Sequence, residues 1–115
     1  MRESDIQRAI VEYLAVVLPD ALVWAVPNAA VRRNGGRAGN GVPGLRKGVF
    51  DLSMILPDGR FAAIEVKAKG GRLSPEQSEF LWAMTDRRIP HLVAYSVDDV
   101  RFFLSQLGVK TREVL

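Results

Sequence analysis

Apolar residues recur along this chain with changing periods, and each change marks the border of an element. Across residues 3 to 18, Ile6, Ile10, Leu14 and Val17 fall at three- and four-residue intervals. That spacing places them on one stripe of a helix, which Pro19 closes. "ALVWAV" (21–26) reads as a short apolar strand. Residues 31–48, "VRRNGGRAGNGVPGLRKG", hold six of the ten glycines and are a loop. "VFDLSMIL" and "RFAAIEVK" read as two strands flanking "PDG". Ser74-Pro75-Glu76-Gln77 joins a capping hydroxyl, a proline at the first helical position and a glutamine three residues after the serine. A helix therefore starts there and runs to about Arg88. "HLVAY" (91–95) is a further strand, and residues 97–107 form a last helix ended near Gly108. The order α-β-β-β-α-β-α is that of an α/β sandwich with a mixed central sheet.

Composition narrows the classes. With 115 residues, 48% hydrophobic and 25% charged, the chain reads as one folded domain over 1–115. No apolar run approaches the ~18 residues that would span a bilayer. The N-terminus "MRESDIQRAI" is polar and carries two acids, unlike a secretory signal. The absence of cysteine excludes disulfides and thiolate metal sites, and a cytoplasmic location is expected. The net charge of +3 is small, but its placement is uneven. Between Asp20 and Asp51 there is no acid, whereas Arg32, Arg33, Arg37, Arg46 and Lys47 all lie there. Such a loop either grips nucleic-acid phosphates or is simply kept solvated by its charges.

The hairpin sets the register of the two middle strands. Pro57 and Asp58 suit a type I turn and Gly59 a left-handed residue, giving a three-residue loop with Leu56 opposite Arg60. Counting outwards, Asp51 then faces Glu65; a two-residue loop would send them to opposite faces. In this register Phe50, Leu52, Met54 and Leu56 join Ala62, Ile64 and Val66 on an apolar side, while Asp51, Ser53, Glu65 and Lys67 share the other. Two carboxylates about 5 Å apart repel by about 3 kcal/mol at an effective dielectric near 20. A divalent cation between them, or a proton on one, removes that conflict.

Carboxylate oxygens suit Mg²⁺ or Mn²⁺ rather than zinc in a chain with one histidine and no cysteine. Lys67 can orient a water or stabilise charge developing on a phosphate. The pattern thus points to metal-assisted hydrolysis of a phosphate ester. The competing reading is a Glu65–Lys67 pair at a solvated strand end. Gly39-Asn40-Gly41-Val42-Pro43-Gly44 matches a dinucleotide fingerprint formally, but no helix can open at "VPGLRKG". His91 reads as a packed or edge residue, and Trp24 and Trp82 as core.

"GVFD" (48–51), "IEVK" (64–67) and "GGRLSPEQ" (70–77) together resemble the PD-(D/E)XK nuclease superfamily, and more narrowly the VRR-NUC family, the virus-type replication-repair nucleases. The resemblance implies a restriction-endonuclease-like three-layer sandwich and a metal-dependent phosphodiesterase acting on DNA, similar to homodimeric Holliday-junction resolvases. By position it implies Asp51 and Glu65 as the two acids, Lys67 as the lysine and the Val66 carbonyl as a further metal ligand. It also implies Glu3 as the acid of the first helix and Gln77 as the glutamine of the later one. Phe50 stands where the family's pattern has proline. Glu3 lies on the stripe facing the sheet, although an acid also stabilises a helix start, and Ser4 to Gln7 could cap the helix with Glu3 just outside. Gln77 could serve capping alone, although its alignment with Leu81 and Met84 points it inward and favours a role in the site. Lys69 and Arg72 lie nearest the motif and join the loop cations as DNA-backbone candidates. A non-catalytic nucleic-acid-binding module and a sequence-specific restriction-type enzyme are the alternatives.

Overall fold

The computed structural model describes residues 1–26 and 43–113. Helix α1 (Glu3–Val17) leads into strand β1 (Leu22–Ala25). The hairpin strands β2 (Leu52–Ile55) and β3 (Phe61–Val66) follow, then α2 (Pro75–Asp86), β4 (His91–Ala94) and α3 (Val97–Gln106). The strands form one four-stranded sheet in the order β1-β2-β3-β4. The first two pairings are antiparallel, and β3 pairs with β4 in parallel. Only that parallel pair needs a crossover, and α2 supplies it.

The hairpin forms as the turn chemistry dictates. Gly59 has φ +93°, and Leu56 N–H donates to the Arg60 carbonyl at 2.8 Å. Leu52 pairs with Ile64 and Ile55 with Phe61, so the register places Asp51 opposite Glu65.

Helices α1 and α3 cover one face of the sheet. Ile6, Ile10, Leu14 and Val17 of α1, with Val100 and Leu104 of α3, pack on Leu52, Met54, Leu56, Ala62, Ile64 and Val66. Helix α2 covers part of the other face through Met84, Phe80 and Leu81 against Ala63 and Phe50. Phe50 is therefore not on the Leu52–Met54 side, as strict alternation had placed it. Regular pairing starts only at Leu52, and the bend at Asp51 turns Phe50 towards α2. Ser53, Glu65 and Lys67 on that face are buried too, so Glu65 and Lys67 do not form a solvated strand end.

Two further expectations are corrected. Trp24 and Trp82 are 44% and 63% exposed, because β1 has no helix above Trp24 and Trp82 points away from the sheet on α2. Helix α1 begins at Glu3, as the apolar spacing over 3–18 predicts, so the alternative cap at Ser4 is not used; its start is held by the Asp5 carboxylate accepting from Arg2 N–H at 3.3 Å. His91 fits both descriptions given to it. It lies on edge strand β4, half-buried, with Nδ1 2.8 Å from the Ile89 carbonyl and Nε2 3.3 Å from Thr85 Oγ1.

Candidate active site

Three elements converge at the end of the hairpin remote from its turn. Asp51 precedes β2, Glu65 and Val66 close β3, and Gln77 sits in the first turn of α2. The two acids are joined by a reciprocal exchange: Asp51 N–H donates to Glu65 Oε1 at 3.1 Å, and Val66 N–H donates to Asp51 Oδ2 at 2.9 Å. Asp51 thus continues the ladder with its side chain after the strand has ended. Its own carbonyl accepts from Val26 N–H at 2.8 Å, tying in β1.

Glu65 is 0% exposed, a costly position for a charge. Its second oxygen, Oε2, accepts from Gln77 Nε2 at 2.8 Å and lies 3.5 Å from Lys67 Nζ. Burial, reinforced by the negative charge of Asp51, pushes its pKa from the usual 4.5 up to about 7, although Lys67 opposes the shift. The repulsion expected between the carboxylates is thus softened by backbone N–H groups, Lys67 and a readily held proton.

Gln77 performs two tasks with its two amide ends. Its Oε1 accepts from Ser74 N–H at 2.8 Å, and its backbone N–H donates to Ser74 Oγ at 3.1 Å, closing the capping box. Its Nε2 is then aimed at Glu65. Capping and the site contact are one arrangement, so the choice between them in the sequence was a false one.

Gly48, the first residue of the "GVFD" motif, has a role that the motif by itself does not reveal. With φ +92°, it lies so close to α2 that a Cβ there would sit 2.5 Å from the Glu76 carbonyl carbon and oxygen. A glycine just before the acid-bearing segment was the available signal. Tyr95 is a residue that motif matching passed over, its hydroxyl donating to the Gly71 carbonyl at 3.1 Å in the turn that follows Lys67.

The remaining candidates lie apart from this cluster. Glu3 is half-buried at the first residue of α1, and among the described residues no hydrogen bond or ion pair links it to the two acids. No third acid or histidine joins Asp51 and Glu65 in a metal-sized group there. Arg46 lies 5.6 Å over the Phe80 ring, and Lys47 Nζ is 3.4 Å from Glu76 Oε1. Lys69 and Arg72 are exposed in the segment between β3 and α2. Arg32, Arg33, Arg37 and the residues 39–42 of the glycine pattern lie outside the described residues. Pro43 and Gly44 of that pattern form a turn, not a helix start.

Two carboxylates, one of them wholly buried, offer hard oxygens that fit a divalent cation of the Mg²⁺ class. Such an ion needs only one or two protein carboxylates when substrate oxygens complete its shell. The lysine beside them adds a hydrogen-bond donor and a positive charge. No curated protein and no solved structure matches the chain. The VRR-NUC domain model matches residues 14–98, a span that contains both acids, the lysine and the glutamine. The chain belongs to the VRR-NUC family, and its domain is a nuclease of the PD-(D/E)XK type.

Proposed function

We propose that this protein is a Mg²⁺- or Mn²⁺-dependent endonuclease that cuts branched or structured DNA, with residues 1–115 acting as one nuclease domain. The observation that carries the reading is the buried, reciprocally bonded Asp51–Glu65 pair with Lys67 beside it.

Asp51, Glu65 and the Val66 carbonyl would hold the ion. Val66 N–H points at Asp51, and in an extended strand the carbonyl of the same residue points the same way. The bound cation supplies Lewis acidity and neutralises charge on the phosphate. Lys67 holds the attacking water through its ammonium protons, and Gln77 fixes the Glu65 carboxylate so that it cannot rotate away. Glu3 assists from α1, directly or through water. Hydrolysis forms a bond from the water oxygen to phosphorus and breaks the bond from phosphorus to the 3′ oxygen. That oxygen leaves as a hydroxyl after taking up a proton, and a 5′-phosphate remains.

Arg32, Arg33, Arg37, Arg46, Lys47, Lys69 and Arg72 would grip the DNA backbone. The Lys47–Glu76 pair is exposed and therefore weak enough to yield to a phosphate. Phosphate contacts sense shape rather than sequence, and the chain has no zinc-finger spacing with which to read bases. Preference for junction-like DNA and a homodimeric state follow from resemblance to resolvases of this superfamily.

The test is incubation with branched, nicked, single-stranded and linear duplex DNA in Mg²⁺, Mn²⁺ or chelator. Metal-dependent cutting, strongest on a branched substrate and abolished in Asp51→Asn, is expected. Cleavage and metal binding that survive Asp51→Asn would refute the site, and tight DNA binding without cleavage by the unaltered protein would leave a binding module.

A further inference from the structure

The face of the sheet that carries the two acids is only partly covered by α2, and what lies open beside the helix is aromatic. On strands, residues two apart share a face, so Phe61 points to the same side as Ala63 and Glu65. Phe61 is 38% exposed and Trp24 is 44% exposed, with ring centroids 6.3 Å apart and planes inclined at 55°. Next to Phe61 a cleft of about 270 Å³ opens against α2, walled by Phe80 and Met84 and flanked by Arg46 and Arg87. Among the described residues no carboxylate lines it.

The chemistry of this surface is specific. Exposed rings beside guanidinium groups attract flat, apolar rings attached to negative charge. Arg46 already stacks over Phe80, and Arg87 is turned back onto the Ala83 carbonyl at 2.9 Å, so both cations are held beside the cleft. A partner protein surface of similar apolarity, by contrast, would not need the two cations that flank the cleft. We propose that the exposed Trp24 and Phe61 rings, beside the Phe80 cleft, are a stacking platform for unpaired bases of the DNA strand that enters the Asp51–Glu65 site, with Arg46 and Arg87 holding its phosphates. Phe61 and Glu65 are four residues apart on one strand, about 13 Å at 3.3 Å per residue. That separation is about four stacked nucleotide steps at 3.4 Å each. Helix α2 lies over Ala63, between Phe61 and Glu65, so a strand leaving the site passes beside the helix to reach the platform, and the enzyme selects DNA with an unpaired stretch on that side of the cut.

This inference rests on the nuclease reading, and its test keeps the two separate. Fluorescence anisotropy in chelator, where no cutting occurs, compares fully paired DNA with DNA of equal length carrying an unpaired stretch of about four nucleotides. The unaltered protein should prefer the second. Phe61→Leu, which keeps the bulk but removes the ring, should weaken that binding about tenfold while changing paired-duplex affinity less than twofold. Arg87→Gln should lower the salt slope for the unpaired substrate by about one. Equal affinity for both DNAs, or variants that bind like the unaltered protein, would overturn the platform while leaving metal-dependent cleavage as a separate result. A concentration-dependent dimer by light scattering that Phe61→Leu disperses would assign the face to a second copy of this chain and overturn it also. Failure of the unaltered protein to bind any DNA would remove both proposals.

Discussion

Glu65 concentrates the physics of the site in one side chain. Its carboxyl is buried, faces Asp51 and accepts from Gln77, and its pKa lies near 7 in place of 4.5. A carboxyl whose pKa is raised by folding contributes stability that is fully present below about 4.5 and lost as pH rises through about 7. Chelator-treated protein should therefore lose about 3 kcal/mol of stability between pH 4.5 and 8.5 from this group alone. Denaturant unfolding across that range measures it, and Glu65→Gln should flatten the profile because the amide does not titrate. A profile unchanged by the substitution would show that Glu65 does not carry the effect. Asp51→Asn acts on the same conflict from the other side. It should raise the metal-free melting temperature at pH 8 by several degrees, because the neutral amide no longer repels Glu65.

At the scale of elements, the decisive contact is between the segment before β2 and the start of α2. Gly48 lets the backbone of one approach the backbone of the other, and Ser74 and Gln77 lock the helix start that aims Nε2 at Glu65. Gly48→Ala meets both a positive φ and a 2.5 Å approach to Glu76. A cost of about 2–3 kcal/mol follows from the strained conformation and the backbone shift it forces. A melting temperature within a degree or two of the unaltered protein would show that the approach is not rigid. Gln77→Met keeps the length of the side chain but removes both of its hydrogen bonds. It should destabilise by about 2 kcal/mol and leave Oε2 of Glu65 to Lys67 alone. Thermal unfolding together with metal titration reads both effects. These contacts explain why part of the site escaped the sequence. The capping box was visible in Ser74-Pro75-Glu76-Gln77, and the spacing of Gln77 from Leu81 and Met84 turned it inward, but which group its Nε2 meets depends on where the helix docks, which no local pattern encodes.

For the molecule as a whole, helices sit on both faces of one mixed sheet, and the acids lie where three strands and α2 meet. No helix among the described residues is long and apolar enough to cross a membrane. In the proposed reading the cations of residues 32–47 would act through phosphate charge, so their contribution is measured by salt. Arg32→Ala combined with Arg33→Ala should weaken DNA binding and lower the slope of log affinity against log salt by about two. An unchanged slope would remove those arginines from the DNA contact.

The order of elements, the hairpin register and the facing of Asp51 and Glu65 were fixed locally, by apolar periodicity and by the left-handed conformation that Gly59 alone can adopt cheaply in that turn. Lys67 beside Glu65 followed from the same two-residue period. Packing between distant segments decided the rest. It turned Phe50 under α2, left Trp24 and Trp82 in the open, and shut Glu65 away from water. Whether an apolar residue is buried depends on what lands above it, and a single strand or helix carries no record of that neighbour.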